Sequence, residues 1–577
     1  MTRTSDSVPL NGISRRTFCK GAAVLGIWGG LASFGLAGCA PHTRAEELAD
    51  SAPWKAGTYT TEVTGHNAPY TMTVTFSDDA ITAIDTSANQ ESLGVGADAL
   101  KALQQQAIDN QTINLDAVTG ATLSSLSLQT GLEDCAKQAQ AFEVLSEAPA
   151  PEKPAVEEVY DADVCVVGGG GSGLAAAIAA VQAGASVIVL EKCGITGGST
   201  NVSEGALNAV DPERQEPQGI EDSIPTFYET TMKGGHNTNN PELVHFLTDN
   251  ALDSVHWLES LGVEFKDEIG SATGSLGQRS HYPATPSGNT YIRSFQQFID
   301  DNADAIMLLN DMQAKELILD DAGAVVGVKA LYDGEQEVTV NCGAVVIATG
   351  GFGGNVEYRQ KVNTGVWKEV VLDDSIGCTN IKPCAQGEGM ALALGAGAER
   401  DVLCKNIFAQ PDGTYWIVVN TLRYPDPDEP DANGATINNM LALGHIVAGD
   451  TVEALAGEMG VDAANLQASI DAYNAVVEGG TDEFGFVADN TADAAMTEGP
   501  WYACRKVPTV HHTMGGIRVN VESEACNADG EPIPGLYAAG ECTGGIHGEN
   551  RLGGNAIADC MTFGRNAGTN AAKYALA

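Results

Sequence analysis

Apolar and polar residues alternate along Thr71-Met72-Thr73-Val74-Thr75-Phe76 and again from Ile81 to Ile84. A period of two predicts strands with one buried face, and the stretch after Gly96 reads as helix, so a small α+β domain is expected at residues 54–141. The pattern then changes. Val164-Cys165-Val166-Val167, Val187-Ile188-Val189-Leu190 and Val345-Val346-Ile347-Ala348 are short, unbroken apolar runs, as expected of strands buried on both faces. An alanine-rich run from Ala175 to Ala183 lies between the first two and predicts a crossover helix. Strand, helix and strand in this order argue for an α/β fold with a doubly wound, mostly parallel sheet. Residues 142–159 carry Pro149, Pro151 and Pro154 among alanine and glutamate and read as a semi-extended linker between the two domains.

The turn that joins the first buried strand to its helix carries chemistry. Gly168, Gly170 and Gly173 stand in G-x-G-x-x-G spacing, with Ser172 among them. In such a unit the first glycine permits the tight turn, the second lets the backbone approach a pyrophosphate, and the third lets helix and strand pack closely; the helix N-terminus offers free N–H groups to phosphate. Glu191 closes the second strand, where a carboxylate accepts hydrogen bonds from ribose hydroxyls. A glycine-rich surface loop would account for the spacing alone. It would not account for strand, helix and terminal acid together, so a dinucleotide site is expected.

Composition narrows the picture. A chain of 577 residues with 43% hydrophobic content and 67 glycines has material for two to four packed domains. Thirty basic against 76 acidic residues give a net charge of -46, which makes nucleic acid a poor partner and requires any anionic substrate to be met by concentrated basic residues. The 13 cysteines show neither C-x-x-C nor C-x-x-C-H spacing, so no haem attachment and no metal site is expected, and most read as small buried hydrophobes. Residues 1–38 read as an export signal, with the twin-arginine pattern Ser14-Arg15-Arg16-Thr17-Phe18-Cys19-Lys20 ahead of a weakly apolar run too short for a bilayer span. Leu36-Ala37-Gly38-Cys39 resembles a bacterial lipoprotein cleavage box, which would put a lipid on Cys39 and make 39–53 a tether. The expected location is outside the cytoplasm, anchored to the cell membrane.

A second glycine-rich stretch, Gly194-Ile195-Thr196-Gly197-Gly198-Ser199-Thr200, resembles the FAD-dependent fumarate reductase, flavocytochrome c and urocanate reductase family. So do Glu229–Asn237, Asp253–Leu258, Val345–Gly351, Val510–Gly516, Gly535–Glu541 and Asn550–Ala556. The resemblance implies an FAD-binding domain in two parts, 160–400 and 505–577, with an inserted α+β clamp at 401–504. It implies noncovalent FAD contacted by Gly168, Gly170, Ser172, Gly173, Glu191, Ser199 and Thr200, then by Gly205, Glu388, His512, Glu541, Ala556 and Ile557. It also implies that Arg551 and His511 hold a substrate carboxylate, a guanidinium giving two parallel hydrogen bonds and a histidine a third. Upstream, Asp116-Ala117-Val118-Thr119-Gly120-Ala121-Thr122, with Glu91–Gly96, resembles the FMN-binding domain family. In that family a flavin transferase esterifies the last threonine or serine to the FMN phosphate, which by position is Thr122 here.

The clamp departs from the family. It is short, its histidine would fall near Ala409 and Gln410, and after Arg423 there is no lysine or arginine until Arg505, so the family's proton-donating arginine looks absent. Arg423, Tyr424 and Tyr415 remain as candidate acids, and fumarate looks an unlikely substrate because its second carboxylate would lose its clamp. The reading is an exported two-flavin oxidoreductase. Electrons from a membrane or extracytoplasmic donor would pass from FMN to FAD and reduce an activated carbon–carbon double bond in an enoate or enone. A dehydrogenase of ketosteroid type and an electron-transfer flavoprotein without substrate chemistry remain as alternatives.

Overall fold

Three antiparallel strands, β1 (Gly57–Thr64), β2 (Pro69–Phe76) and β3 (Ile81–Asp85), form the first sheet, in that order. The alternation does what its period requires: Met72, Val74 and Phe76 are buried. They pack under α1 (Gly96–Asn110) and α2 (Thr122–Gln138), whose Leu100, Leu103, Leu128 and Leu132 complete the core. Each such side chain contributes about 1.5–3 kcal/mol by leaving water. A further helix, α3 (Phe142–Glu147), puts Leu145 into the same core, and the Ala148 carbonyl accepts from Thr112 Oγ1 (3.3 Å) and Asn114 Nδ2 (2.6 Å). The linker expected from 142 therefore starts after Ala148, because one apolar side chain among alanines and glutamates is enough to anchor a short turn.

This structure is a computed structural model, and it describes residues 54–285, 287–363, 372–400, 415–429, 436–480, 495–507 and 509–577. The export signal, the Cys39 box, the 39–53 tether and the Ala409-Gln410 positions lie outside the described residues. Two units are distinguished, one comprising the chain up to Asn406 together with Val510–Ala577, the other Ile407–Thr509.

In the first unit the unbroken apolar runs become the middle of a six-stranded sheet. Its elements are β4 (Val164–Val167), α4 (Gly171–Gln182), β5 (Val187–Leu190), β6 (Ile306–Leu309), β7 (Ala344–Ile347), α5 (Glu388–Gly395), β8 (Glu524–Cys526), β9 (Pro532–Ala538) and α6 (Asn555–Ala575). The strand order is β8-β9-β7-β4-β5-β6, parallel except for edge strand β8. All four residues of β4, β5 and β7 are buried. Helix α4 is mostly alanine and glycine because α6 lies against it at short range. A Cβ added at Gly568 would lie 1.9 Å from the Ala176 carbonyl oxygen, and one at Gly564 would lie 2.6 Å from that of Ser172.

The small α+β domain packs on this sheet domain within the same unit rather than hanging from a free linker. Arg293 Nη2 reaches both carboxylate oxygens of Asp98 at 2.8 Å, and Asn201 Nδ2 donates to the Gly94 carbonyl at 3.0 Å. A Cβ at Gly120 would lie 3.1 Å from the Ile195 side chain. Lys153, in the linker, bridges Asp116 (3.4 Å) and Asp333 (2.5 Å).

The second unit has a sheet of Tyr415–Asn420, Trp501–Lys506 and Ile446–Gly449, with Trp501–Lys506 in the middle. Helices Val452–Met459 and Ala463–Val477 supply Leu455 and Ile470 to a core with Trp501. Among the described residues no helix is long and apolar enough to cross a membrane.

Candidate functional site

The carboxyl ends of β4, β5 and β7 open onto one cavity, lined by Gly168, Gly170, Ser172, Glu191, Ser199 and Thr200 and, from the other wall, by Thr349, Cys384, Glu388, Glu541 and Cys560. The three glycines do three different jobs. Gly168 has φ +109°, and a Cβ there would sit 2.4 Å from the Ala348 carbonyl oxygen. At Gly173 a Cβ would sit 1.9 Å from the Gly168 carbonyl oxygen, so helix and strand meet without a side chain between them. At Gly170, which caps α4, a Cβ would find only the Gly197 carbonyl oxygen, 4.0 Å away. That open approach at a helix N-terminus suits a pyrophosphate. Thr200 Oγ1 accepts from the Gly171 N–H at 3.3 Å, and Ser199 Oγ accepts from the Ile381 N–H at 3.2 Å. Ser172 Oγ is buried without a protein partner.

Glu191 is buried, and its two oxygens accept from the Gly169 N–H (2.8 Å) and the Cys193 N–H (2.7 Å). Burial raises its pKa, and these two N–H bonds oppose the rise. A carboxylate has about four lone-pair positions, so acceptor capacity remains for a ribose. Glu388 holds Lys192 Nζ at 2.5 Å and Gln313 Nε2 at 2.7 Å across the cavity. Gly205 is not among the residues lining the cavity. Its φ is +81°, its carbonyl accepts from the Tyr291 hydroxyl at 2.5 Å, and a Cβ there would meet the Ser287 backbone at 2.9 Å, so its glycine serves packing.

Arg551 and the imidazoles of His511, His512 and His547 gather near Glu541. This carboxylate accepts from the Thr513 N–H (2.9 Å) and Asn380 Nδ2 (3.0 Å); burial raises its pKa, and those bonds and Arg551 oppose the rise. Arg551 Nε is buried without a partner, while one Nη donates to the Leu552 carbonyl at 3.0 Å. His511 Nδ1 lies 2.7 Å from Thr379 Oγ1. The surrounding protein, with Arg551 adding to it, pushes the His511 pKa down to about 4, so this imidazole is neutral at pH 7. His512 is pushed down by burial too, its Nδ1 is buried without a partner, and its ring meets His547 edge-on at 5.1 Å. His547 Nε2 lies 3.0 Å from buried Asp559 on α6. Ala556 sits one turn before cavity-lining Cys560 on α6, whereas Ile557 points into the core. Thr379, Asn380, Thr513, His547 and Asp559 were not singled out from the sequence; Thr513 stands in a recognisable run, and His547 and Asp559 flank another at three residues' distance.

Thr122 is the first residue of α2 and is exposed, as are Leu123 and Leu126 on the same helix and Leu93. The turn before it is held by Ser125, whose Oγ accepts from the Val118 N–H (3.1 Å) and donates to the Ala121 carbonyl (2.9 Å). Ser124 Oγ donates to Glu91, which brings the Glu91–Gly96 segment beside the turn. An open hydroxyl at a helix N-terminus with exposed leucines around it fits a flavin phosphate and ring. Arg423 and Tyr424 belong to the second unit, where their amides bond the Asn420 carbonyl at 3.1 and 3.3 Å and both residues line a cavity of that unit with Trp416 and Leu466.

Residues 163–557 match the FAD-binding domain family and residues 65–137 the FMN-binding domain family. The chain belongs to the FAD-dependent fumarate and urocanate reductase family. The chain is 32% identical to a urocanate reductase of Eggerthella lenta over 98% of its own length and 100% of that protein's. It is also 32% identical to an NADH:acrylate oxidoreductase of Vibrio harveyi, covering 92% of this chain but 62% of the relative. It resembles the open conformation of a flavocytochrome c3 fumarate reductase with a TM-score of 0.57 and 31% identity, over 72% of this chain and 79% of that one. The protein is therefore an FAD-dependent oxidoreductase acting on CH–CH groups, with an FMN-binding domain in addition.

The cysteines add one feature that the sequence reading did not include. Cys135, Cys165, Cys342, Cys526 and Cys542 are buried and free, as small hydrophobes are. Cys193 and Cys384, however, form a disulfide at the edge of the cavity: Cys384 lines it, and Cys193 is buried two residues after cavity-lining Glu191. At 191 positions apart and with no motif around either, nothing in the sequence pointed to the pair.

Proposed function

We propose that this protein is an exported, lipid-anchored reductase in which FMN is esterified to Thr122, electrons enter at the FMN-binding domain, and an activated alkene carrying one anionic or carbonyl group is reduced at the FAD site. The observation that carries the substrate class is Arg551, a half-buried guanidinium whose Nε is buried with no protein partner, beside an imidazole held neutral at His511. When bound, FAD supplies the hydride that such a double bond accepts. Arg551 binds and orients the carboxylate or carbonyl oxygen through its fork, and neutral His511, steadied by Thr379, adds one hydrogen bond without competing for the charge. Electron density that develops on that oxygen during reduction meets the same donors already in place. Exposed Thr122 gives a transferase room to work, and export would favour a flavin that cannot dissociate.

Turnover with a panel of acrylates, enones, urocanate and fumarate, with reduced viologen as donor, tests the reading. Preference for a monocarboxylate or enone supports it; fumarate turned over as fast as the best alkene would refute the single-anion pocket.

A further inference from the structure

The disulfide between Cys193 and Cys384, with Cα atoms 6.8 Å apart, stands where it can decide whether a dinucleotide stays bound. Cys193 follows Glu191 by two residues, and its N–H donates to Glu191 Oε1 at 2.7 Å. Cys384 lines the opposite wall, in the turn that leads into α5. The bond ties the loop after β5, which carries the ribose-binding acid, to the wall facing it. Lys192 and Glu388 make a parallel ionic link at 2.5 Å, but both side chains are partly exposed, and such pairs contribute little. The covalent link is the one that water and salt do not loosen.

We propose that Cys193 and Cys384 form a thiol-controlled clasp on the FAD site: with the thiols reduced the two walls part and FAD exchanges, and with the disulfide closed FAD is retained. The inference rests on FAD occupying this cavity. The two sulfurs differ in access, Cys193 being fully buried and Cys384 half-buried. Closure follows from that difference. The Cys384 thiolate attacks a small external disulfide, forming a mixed disulfide and releasing one thiol. The Cys193 thiolate then attacks the Cys384 sulfur and releases the second. The protein loses two electrons and two protons, and the external disulfide gains them as two thiols. In the FMN-binding domain a phosphoester would make such a device unnecessary; the FAD domain has no covalent tie to its flavin, and the clasp supplies retention by another route.

The test uses the FAD-loaded full-length protein in oxidised and in reduced glutathione. After rapid dilution, FAD released through a filter is followed by fluorescence, and the covalent flavin stays with the protein. Release at least tenfold faster in the reduced buffer is expected, with Cys384→Ser releasing at that faster rate in both buffers. Alkylation followed by intact mass should count two fewer labels on the oxidised wild type than on the reduced. Equal release rates from wild-type protein in the two buffers would overturn the clasp, as would labelling of both cysteines in oxidised protein. These readings need no variant to fold. Protein that holds no FAD in either buffer would refute the FAD site itself, a different failure.

Discussion

Gly170 and Gly173 lie three residues apart in one turn, and the structure separates their roles sharply enough to be measured. Gly173→Ala would put a methyl 1.9 Å from the Gly168 carbonyl oxygen and 3.3 Å from Ala348 Cβ. Helix α4 cannot back away, because α6 sits behind it with glycines in contact with the Ser172 and Ala176 backbone. Forcing an extra methyl into such a site costs about 1–3 kcal/mol, so Gly173→Ala should lower the unfolding midpoint of flavin-free protein. Gly170 has φ -77° and ψ -179°, a conformation alanine adopts freely, and its nearest neighbour would be 4.0 Å away. Gly170→Ala should therefore change flavin-free stability by less than about 0.5 kcal/mol. Its methyl would instead occupy the approach of the pyrophosphate. Losing one charge-assisted hydrogen bond there costs about 1.5–3 kcal/mol, or about 10- to about 150-fold in FAD affinity. Urea unfolding of the flavin-free variants and FAD titration by fluorescence decide it. Gly170→Ala binding FAD as wild type does, or Gly173→Ala unfolding at the wild-type midpoint, would refute the assignment.

Arg551→Ala should lower kcat/KM for an anionic alkene by about 2–5 kcal/mol, roughly 30- to 5,000-fold, while reduction of the flavins by an artificial donor proceeds unchanged; substrate-dependent reoxidation at the wild-type rate would place the pocket elsewhere. Thr122→Ala should abolish the mass increment of one FMN residue seen on denatured wild-type protein from a host that has the transferase, and an unmodified wild type would count against the ester. His511 has a folded pKa of about 4 against an ordinary 6.5, so the unfolded chain takes the proton first as pH falls. The stability that neutral His511 contributes is present above about pH 6.5 and is lost between there and about 4. Thermal unfolding of wild type should accordingly weaken more over that window than that of His511→Gln, and equal slopes would contradict the shift.

Local signals were legible and distant pairings were not. The strands at Pro69–Phe76 and Val164–Val167 follow from side-chain period and unbroken apolarity, and the glycine spacing located the cavity because each glycine answers a backbone constraint. Arg551, His511 and Glu541 were found through runs of residues that resemble a family, and the structure gathers them. Contacts such as Asn201 with Gly94 or Asp98 with Arg293 join polar residues far apart in the chain, and no periodicity marks them, so the docking of the FMN-binding domain was missed. Gly205, a cofactor contact by resemblance, has a positive φ and a close approach to the Ser287 backbone, so packing by itself already requires a glycine there. Leu145 extended the first domain past the expected boundary for a related reason, since a single buried side chain carries no period.

The FMN-binding domain rests on the Cys193–Asn201 loop, through Ile195 against Gly120 and Asn201 against Gly94, and Ser199 and Thr200 of that loop also line the dinucleotide cavity. Two binding events thus share one segment of backbone. A group that orders the loop from the cavity side makes docking from the other side cheaper in entropy, and thermodynamic reciprocity requires docking to tighten the hold on that group by the same factor. Deleting the small domain would thus remove more than an FMN-binding module: it would also take away a cooperative partner of whatever the cavity binds through the opposite face of the same loop.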